Sequence, residues 1–227
     1  MAPTYLRREP GIEHSDGHRG SAFLQRGHQL HRLSDAPSTD AAKAELRRVS
    51  IARRDALPAS ERQAAAEAIA ARPFPLAIAA GAIVAGFMPM KSEINPLPLM
   101  RKLADAGAQL ALPVVSGRGR PLVMRAYNFG APLAAGVWGI REPPPNAREV
   151  APDILLVPLL AFDRRGQRIG YGAGYYDMTI AALRAVKQIV AIGLAFAAQE
   201  VPCVPTSARD AALDLVLTEH EAIDLRA

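Results

Sequence analysis

The sequence has little cysteine and little aromatic content: Cys203 is its only cysteine in 227 residues, and aromatic residues make up 5%. A single cysteine excludes an intrachain disulfide and a metal centre built from several cysteines. No apolar run approaches the ~20 residues that a transmembrane helix requires, because glycine, proline or a charged residue interrupts each candidate. We therefore expect a cytoplasmic protein without a membrane partner.

Two widespread phosphate-binding motifs are also absent. The chain has no G-x-x-x-x-G-K-[ST] sequence, and its clustered glycines have the spacing G-x-G-x-G instead of G-x-G-x-x-G. These absences argue against a P-loop NTPase and an ordinary Rossmann site. The sequence has no helix-turn-helix pattern, zinc-finger spacing or basic stretch interleaved with aromatics, so we expect a nucleotide ligand and no nucleic acid.

The first 40 residues differ in composition from the rest of the chain. They hold five arginines, five acidic residues and four of the five histidines. This mixture fits neither an apolar signal sequence nor an acid-poor transit peptide. The formal net charge of +5 consequently resides in residues 41–227, where it favours an anionic ligand. We predict a disordered extension over residues 1–39 and a single catalytic domain over 40–227.

Helical and strand-like segments alternate beyond the extension. Helices are predicted over 40–57, over about 60–71 with a capping box of Ser60 and Gln63, and over 97–106. Short apolar segments predict strands over 82–87, 109–115, 121–127, 153–163, 187–194 and 213–218. This alternation predicts an α/β fold with a layered sheet.

The most informative segment runs from Arg168 to Asp177 and reads R-I-G-Y-G-A-G-Y-Y-D. Alternating glycines let successive backbone N–H groups converge on an anion, and a helix predicted over 178–186 adds its positive dipole end. A strand, a glycine loop and a helix in this order predict a phosphate-binding site. The alternative is a glycine-rich turn that only redirects the chain, which the flanking Arg168 and Asp177 disfavour.

Two further pairs of residues have weaker signals. Lys43 and Arg47 lie four residues apart on the first predicted helix, so they share a face that could hold a polyphosphate or could simply be solvated. Asp177, in the first turn of its helix, and Asp214, at the start of a late strand, could ligate Mg²⁺ together with phosphate oxygens. Each aspartate also has an ordinary structural explanation.

Glu93 and Trp138 are single candidates. Glu93 follows a predicted strand, where ligand-contacting loops emerge in α/β sheets. Its alternative role is a charge at a helix N-terminus. Trp138 is the only tryptophan, and a lone tryptophan is more often partly buried in the core than part of a ligand site.

These segments together resemble the 5-formyltetrahydrofolate cyclo-ligase family, also called 5,10-methenyltetrahydrofolate synthetase. The match runs from about Lys43 to about Glu219, and its most specific part is the run 157–177. Supporting segments follow in the family's order: Lys43 with Leu46 and Arg47, Ser92 to Ile94, Gly136 to Pro143, Asp210 to Asp214, and Thr218 with Glu219.

The resemblance implies a three-layer α/β/α sandwich with a mostly parallel central sheet, similar to the isomerase and CoA-transferase group. It implies that Glu93 and Trp138 contact the folate, and that Asp177 and Asp214 hold Mg²⁺. Arg168 and Tyr176 would be the catalytic residues. The implied ATP-binding residues are Lys43, Arg47, Arg168, Ile169, Gly170, Tyr171, Gly172, Ala173, Gly174, Tyr175 and Tyr176.

The implied activity is ATP- and Mg²⁺-dependent cyclisation of 5-formyltetrahydrofolate to 5,10-methenyltetrahydrofolate by a monomer or weak dimer. Two positions depart from the family's pattern: Met178 stands where an arginine is common, and Ala173 occupies the centre of the loop. Two alternatives stay open, namely an ATP-dependent enzyme with another acceptor and a nucleotide-binding protein without turnover.

Overall fold

The computed structural model of the protein describes residues 38–226. The predicted extension lies outside the described residues apart from Ser38 and Thr39. Ser38 is the N-cap of the first helix, and its hydroxyl accepts a hydrogen bond from Ala41 N at 3.2 Å. The helix therefore begins inside the predicted extension. None of the helices in this part of the chain has both the length and the apolar character that a membrane span requires.

The described residues form four helices and eleven strands. The helices are α1 (Thr39–Asp55), α2 (Ala59–Ala71), α3 (Leu97–Asp105) and α4 (Tyr175–Arg184). The strands are β1 (Ile83–Ala85), β2 (Gln109–Val114), β3 (Val123–Tyr127), β4 (Ala134–Ala135), β5 (Arg141–Glu142), β6 (Ile154–Pro158), β7 (Ala161–Phe162), β8 (Arg168–Ile169), β9 (Val190–Leu194), β10 (Leu215–Leu217) and β11 (Ala222–Asp224). Single 3₁₀ turns lie at Val137–Gly139 and Ala197–Gln199.

Seven of these strands form the central sheet, in the order β11-β10-β9-β6-β1-β2-β3. The five inner strands are parallel, while β3 and β11 run antiparallel to their neighbours at the two edges. Parallel neighbours need crossover connections, and the chain supplies them as helices and long loops. The remaining strands form two hairpins, β4 with β5 and β7 with β8.

Helices cover both faces of the sheet. Along β6, Leu156 packs on the side of α2 and α3, whereas Leu155 and Val157 pack with Ile180 of α4 on the other side. This alternation follows from the two-residue period of a strand, and burial on both faces explains why β6 is apolar throughout. The three-layer α/β/α sandwich with a mostly parallel sheet is confirmed.

A third apolar cluster lies beneath α1. Leu46 and Ile51 of α1 pack against the β7–β8 hairpin through Ala161 and Ile169. The hairpin places α1 close to the loop that follows β8, and this contact brings two distant parts of the sequence into one site.

The segment 153–163 is not the single strand that its apolar run predicts. It forms β6 and then β7, which turns back against β8, and Leu160 N donates to Ile169 O at 2.7 Å in this hairpin. An apolar run of this length does not reveal where a strand breaks. The following helix begins at Tyr175, three residues before the predicted start.

The predicted capping box of α2 is wrong. The residue at the N-cap is Pro58, which offers no side-chain acceptor. Gln63 donates instead to Glu67 at 2.9 Å, one turn further along the helix. A proline that fixes φ before the first turn supplies the helix start that we expected from Ser60.

Candidate active site

The glycine loop, residues 170–174, lies at the carboxyl edge of the parallel sheet. It belongs to the crossover from β6 to β9, so α4 starts at this edge and runs back towards the amino edge. Gly172 and Gly174 have φ angles of +100° and +72°, conformations that glycine adopts at least cost, and Gly174 is the N-cap of α4. The chain therefore bends sharply just where a ligand would approach.

The loop borders open space. A β-carbon built at Gly170 or Gly174 would meet no other atom within 4 Å, whereas one at Gly172 would lie 3.2 Å from the guanidinium carbon of Arg47. Among residues 38–226 no side chain caps the N-terminus of α4, so its first N–H groups are left for another acceptor. Free N–H groups at the positive end of a helix dipole are what a phosphate group requires. The loop thus fits the predicted ligand.

Lys43 and Arg47 lie on the side of α1 that faces this region. Arg47 Nε donates to Gly170 O at 3.0 Å. Lys43 is buried, and its Nζ donates to Asp210 Oδ2 at 2.5 Å and to Ser207 Oγ at 3.4 Å. The alternative of a solvated helix surface is therefore wrong for Lys43, and Arg47 is in direct contact with the loop.

Arg168 and Asp177 flank the loop and form an ion pair. The Arg168 side chain is 5% exposed, and its Nη2 lies 2.9 Å from Asp177 Oδ1. Arg168 Nη1 donates to Ala211 O at 2.6 Å, while Asp177 Oδ1 accepts from Ala211 N at 3.1 Å. Within the described residues, the partners of the Asp177 carboxylate all fall on Oδ1. Oδ2 is thus available to a cation.

Asp214, the second predicted magnesium ligand, lies at the opposite edge of the sheet. It directly precedes β10, and its Oδ2 accepts from Ala191 N at 2.7 Å and pairs with Arg184 at 2.8 Å. Arg184 comes seven residues after Asp177 on α4, a rise of about 10 Å. The structure therefore does not bring the two predicted ligands together, because Asp214 is occupied in joining β9, β10 and the end of α4.

Asp210 is the carboxylate that the structure places beside the loop. Its Oδ2 accepts from Lys43 and from Ser207 N at 2.6 Å, and the next residue, Ala211, is the one held by Arg168 and Asp177. In residues 38–226 no group of three or more acidic, histidine or cysteine side chains could hold a metal alone. Two carboxylates are sufficient for Mg²⁺ when phosphate oxygens and water complete its shell.

Glu93 lies in the turn after β1, and its side chain is buried. Glu93 Oε2 accepts from Met90 N at 2.8 Å, and Glu93 N donates to Met90 O at 2.9 Å, so this turn holds the carboxyl group in place. Burial raises the pKa of Glu93, while the Met90 N–H and the positive charge of Arg54 oppose the shift. The first turn of α3 contains no acidic residue, so Glu93 is not a helix N-terminal charge.

Tyr176 is the second residue of α4, and the charges of Glu93 and Arg168 both affect the pKa of its phenol. Burial and the nearby Glu93 raise the pKa of its phenol, and Arg168 partly offsets them. The phenol thus keeps its proton and can donate a hydrogen bond. A cleft of about 490 Å³ opens beside Glu93, with Arg62 and Lys91 among the residues that line it. The cleft places the predicted folate residue Glu93 beside a space that a small molecule could enter.

Trp138 is not part of the core. Its side chain is 64% exposed, and its φ angle of +58° is rare for a residue with a β-carbon. The indole packs edge-on against the ring of Tyr175, with 5.9 Å between the ring centroids. The sequence-based preference for a buried tryptophan is wrong because the connection between β4 and β5 carries Trp138 out of the core to the first residue of α4.

Arg54 is a further residue beside the glycine loop, and it was not among the residues predicted from sequence. Arg54 is 1% exposed and donates from Nη2 to the hydroxyl of Tyr171 in the glycine loop. A signal was available, since residues 43, 47, 50 and 54 follow one another at intervals of four, three and four and so share one helix face. Lys43, Ser50 and Arg54 on this face are buried.

The fold and the site together define an α/β protein with an open glycine loop at the carboxyl edge of its sheet. The family model described as the 5-formyltetrahydrofolate cyclo-ligase family matches residues 39–219. The chain belongs to this family, as the resemblance of its motifs predicted, and is an enzyme of the cyclo-ligase class.

Individual relatives agree with this assignment. The 5-formyltetrahydrofolate cyclo-ligase of Mycolicibacterium smegmatis is 34% identical over 189 residues, which cover 80% of this chain and 95% of that protein. The enzyme of the same name from Escherichia coli K12 is 34% identical over 141 residues, which cover 60% and 76%.

Two solved structures have the same fold. The 5,10-methenyltetrahydrofolate synthetase of Aquifex aeolicus superimposes with a TM-score of 0.69 at 29% identity, covering 82% of this chain and 93% of that one. The synthetase of Mycoplasma pneumoniae gives a TM-score of 0.59 at 21% identity, covering 78% and 98%, and supports the fold alone.

Proposed function

We propose that this protein catalyses the ATP- and Mg²⁺-dependent cyclisation of 5-formyltetrahydrofolate to 5,10-methenyltetrahydrofolate, with release of ADP and phosphate. One observation supports the proposal most directly. The open glycine loop and the turn that holds the buried Glu93 are joined by Arg54, which donates to Tyr171 in the loop and to Ser92 in the turn, so a phosphate group and a second small molecule could meet there. The relatives named above supply the identity of the second molecule.

ATP would bind along the glycine loop. The α4 N-terminus and the loop N–H groups would receive its phosphates, and Arg47 and Arg168 would add positive charge on either side. Lys43 is held by Asp210 and would reach the same phosphates from α1. The ring pair of Trp138 and Tyr175 lies at the mouth of this site, where it could cover a bound folate.

Magnesium would be held by Asp177 and Asp210 in place of the predicted pair. Asp177 offers its Oδ2 atom, and Asp210 accepts its present hydrogen bonds on Oδ2, which leaves Oδ1. When bound with ATP, Mg²⁺ neutralises charge that builds up on the phosphates. The protein groups would then orient the nucleotide relative to the folate.

The chemistry requires activation of the formyl oxygen, which is a poor leaving group. This oxygen would attack the γ-phosphorus of ATP and displace ADP, giving an iminium phosphate. N10 of the folate would then attack the activated carbon, lose its proton, and expel phosphate that retains the former formyl oxygen. Arg168 would stabilise negative charge on the transferring phosphoryl group, and the Tyr176 phenol would donate a hydrogen bond. Glu93 would bind the folate.

The experiment that tests this route uses 5-formyltetrahydrofolate labelled with ¹⁸O in the formyl group. Incubation with the protein, ATP and Mg²⁺ should place the label in the released phosphate, as measured by mass spectrometry. Unlabelled phosphate formed alongside methenyltetrahydrofolate would rule out phosphorylation of the formyl oxygen. ATP binding without any folate product would point to another acceptor.

A further inference from the structure

Arg54 is a buried cation that contacts no carboxylate directly within the described residues. Its side chain is almost fully enclosed in the last turn of α1. Nε donates to Ser92 Oγ at 3.0 Å, Nη1 to Leu159 O at 3.5 Å, and Nη2 to the Tyr171 hydroxyl. All three acceptors are neutral, although an enclosed guanidinium is normally paired with an acid.

Arg54 is nevertheless linked to acidic groups through its neighbours. The Ser92 hydroxyl donates a hydrogen bond to Asp55 Oδ1, so Arg54 is linked to an acid through one hydroxyl. The charge of Arg54 opposes the rise in the pKa of Glu93. The charges of Glu93 and Asp55 in turn help to raise the pKa of the Tyr171 phenol. Arg54 thus lies at the centre of a small network that includes the predicted folate residue.

The contacts of Arg54 come from different parts of the proposed site. Tyr171 belongs to the glycine loop, which would bind ATP. Ser92 precedes Glu93 in the turn after β1, which would bind the folate. Leu159 follows the end of β6 and anchors the guanidinium to the sheet. One rigid side chain therefore touches the nucleotide loop and the folate turn at once.

We propose that Arg54 is a positioning residue that links the glycine loop to the Glu93 turn, so that ATP and 5-formyltetrahydrofolate each strengthen the binding of the other. This inference rests on the proposed function. Tyr171 is 41% exposed, and Arg54 holds it by the contact with its hydroxyl and by a guanidinium carbon 5.6 Å from its ring centroid. A nucleotide that fixes the loop would also fix Arg54, Ser92 and Glu93, and the folate would then bind a site that is already ordered.

The test measures the Kd of the purified protein for 5-formyltetrahydrofolate with and without Mg²⁺ and a non-hydrolysable ATP analogue. Wild type should bind the folate at least about fivefold more tightly when the analogue is present, and reciprocity requires the same factor for the analogue when the folate is present. Tyr171→Phe keeps the ring and removes the hydroxyl, so the factor should fall to near one.

Two further variants separate positioning from folding. Ser92→Ala should lower the same factor, and combining it with Tyr171→Phe should cause little additional loss because both act through Arg54. Arg53→Gln is the matched control, since Arg53 is the exposed neighbour that contacts Ala198 O, and it should leave the factor unchanged. Thermal unfolding of each variant shows whether the fold is intact.

The outcomes distinguish this inference from the proposed function. A wild type that produces methenyltetrahydrofolate but shows no mutual strengthening would overturn the inference alone. The inference alone would also be overturned if the ATP analogue strengthened folate binding by Tyr171→Phe as much as it strengthens binding by wild type. A protein that forms no methenyltetrahydrofolate and binds no folate would overturn both.

Discussion

At the scale of single residues, the loop glycines Gly170 and Gly172 have different requirements. Gly172 has a positive φ angle and lies against Arg47, whereas Gly170 faces open space. Gly172→Ala should therefore lower the free energy of unfolding by roughly 1–2 kcal/mol, the cost of a left-handed conformation for a residue with a β-carbon. Urea unfolding measures this loss.

Gly170→Ala is the matched variant. Its methyl group would project into the space reserved for phosphate, so stability should be unchanged while the Kd for ATP rises by about tenfold, or ~1.4 kcal/mol. Calorimetric titration with ATP and Mg²⁺ provides the comparison. Unchanged ATP affinity in Gly170→Ala would mean that the nucleotide does not occupy this space.

Glu93 predicts a pH dependence of stability. Burial raises its pKa above the ordinary 4.5, so its protonated form contributes stability that is complete below pH 4.5 and is lost as pH rises through the raised pKa. The side chain in Glu93→Gln cannot ionise, so this variant keeps its stability as the pH rises. Its unfolding free energy should exceed that of wild type by a margin that grows as pH increases from 4.5 and then levels off.

Urea unfolding of both proteins across a pH series measures the margin, and folate affinity is measured in parallel. The same substitution should weaken folate binding, since the buried carboxyl group is kept at a cost in stability that binding would explain. A margin that does not change with pH would show that Glu93 titrates normally.

The structure brings together the residues whose order a motif fixes, and it departs from the sequence-based expectation where tertiary contacts decide a residue's position. Arg168, Asp177 and the glycines were recognisable because loop geometry constrains their order. The sequence does not distinguish Asp210 from Asp214 as the second carboxylate beside the loop, because they lie only four residues apart. Only the structure shows which edge of the sheet each aspartate occupies. The exposure of Trp138 depends on a hairpin of two-residue strands, which have no detectable periodicity.

At the scale of secondary-structure elements, the two edges of the parallel sheet separate binding from structural roles. The carboxyl edge holds the glycine loop, Glu93 and the Asp210 segment. The amino edge holds Asp214, which joins β9 to the end of α4. A large open groove of about 1100 Å³ at this amino edge includes Arg184 and Lys187 and is not part of the proposed site.

The comparison of Asp210→Asn with Asp214→Asn tests this separation. Asp210→Asn should raise the Mg²⁺ concentration for half-maximal activity by roughly tenfold, since one charged ligand is lost. Asp214→Asn should leave that concentration unchanged and lower stability by about 1 kcal/mol, because its contacts with Ala191 N and Arg184 weaken. The reverse pattern in activity assays and urea unfolding would restore Asp214 as the ligand.

The elements themselves were largely predictable. The bounds of α1, α3 and β2 agree with the predicted ones to within two residues because periodicity and terminating residues mark them clearly. The β7–β8 hairpin could not be predicted, since its apolar residues continue the pattern of β6. This hairpin carries α1 to the glycine loop, where Arg47 contacts Gly170 O. The family resemblance implied one site for Lys43, Arg47 and the loop, but the pattern of residues alone did not predict this contact.

At the scale of the whole molecule, the family match begins at residue 39, next to the cap of α1. Removal of residues 1–37 should leave the melting temperature and the cyclo-ligase activity unchanged. Removal of residues 1–38 also deletes the Ser38 cap, and it should cost about 1 kcal/mol of stability at α1. Thermal unfolding and activity of the two truncated proteins test this, and lost activity after removal of 1–37 would contradict it.

The measurement that tests the central claim most directly is the near-ultraviolet absorbance of methenyltetrahydrofolate. The purified protein is mixed with 5-formyltetrahydrofolate, Mg²⁺ and ATP, and ATP is omitted from the control. The proposed function predicts a rise in absorbance that depends on ATP and is lost in Gly170→Ala at low ATP concentration. The absence of a rise from a folded protein that still binds ATP would contradict cyclo-ligase activity and leave only the phosphate site.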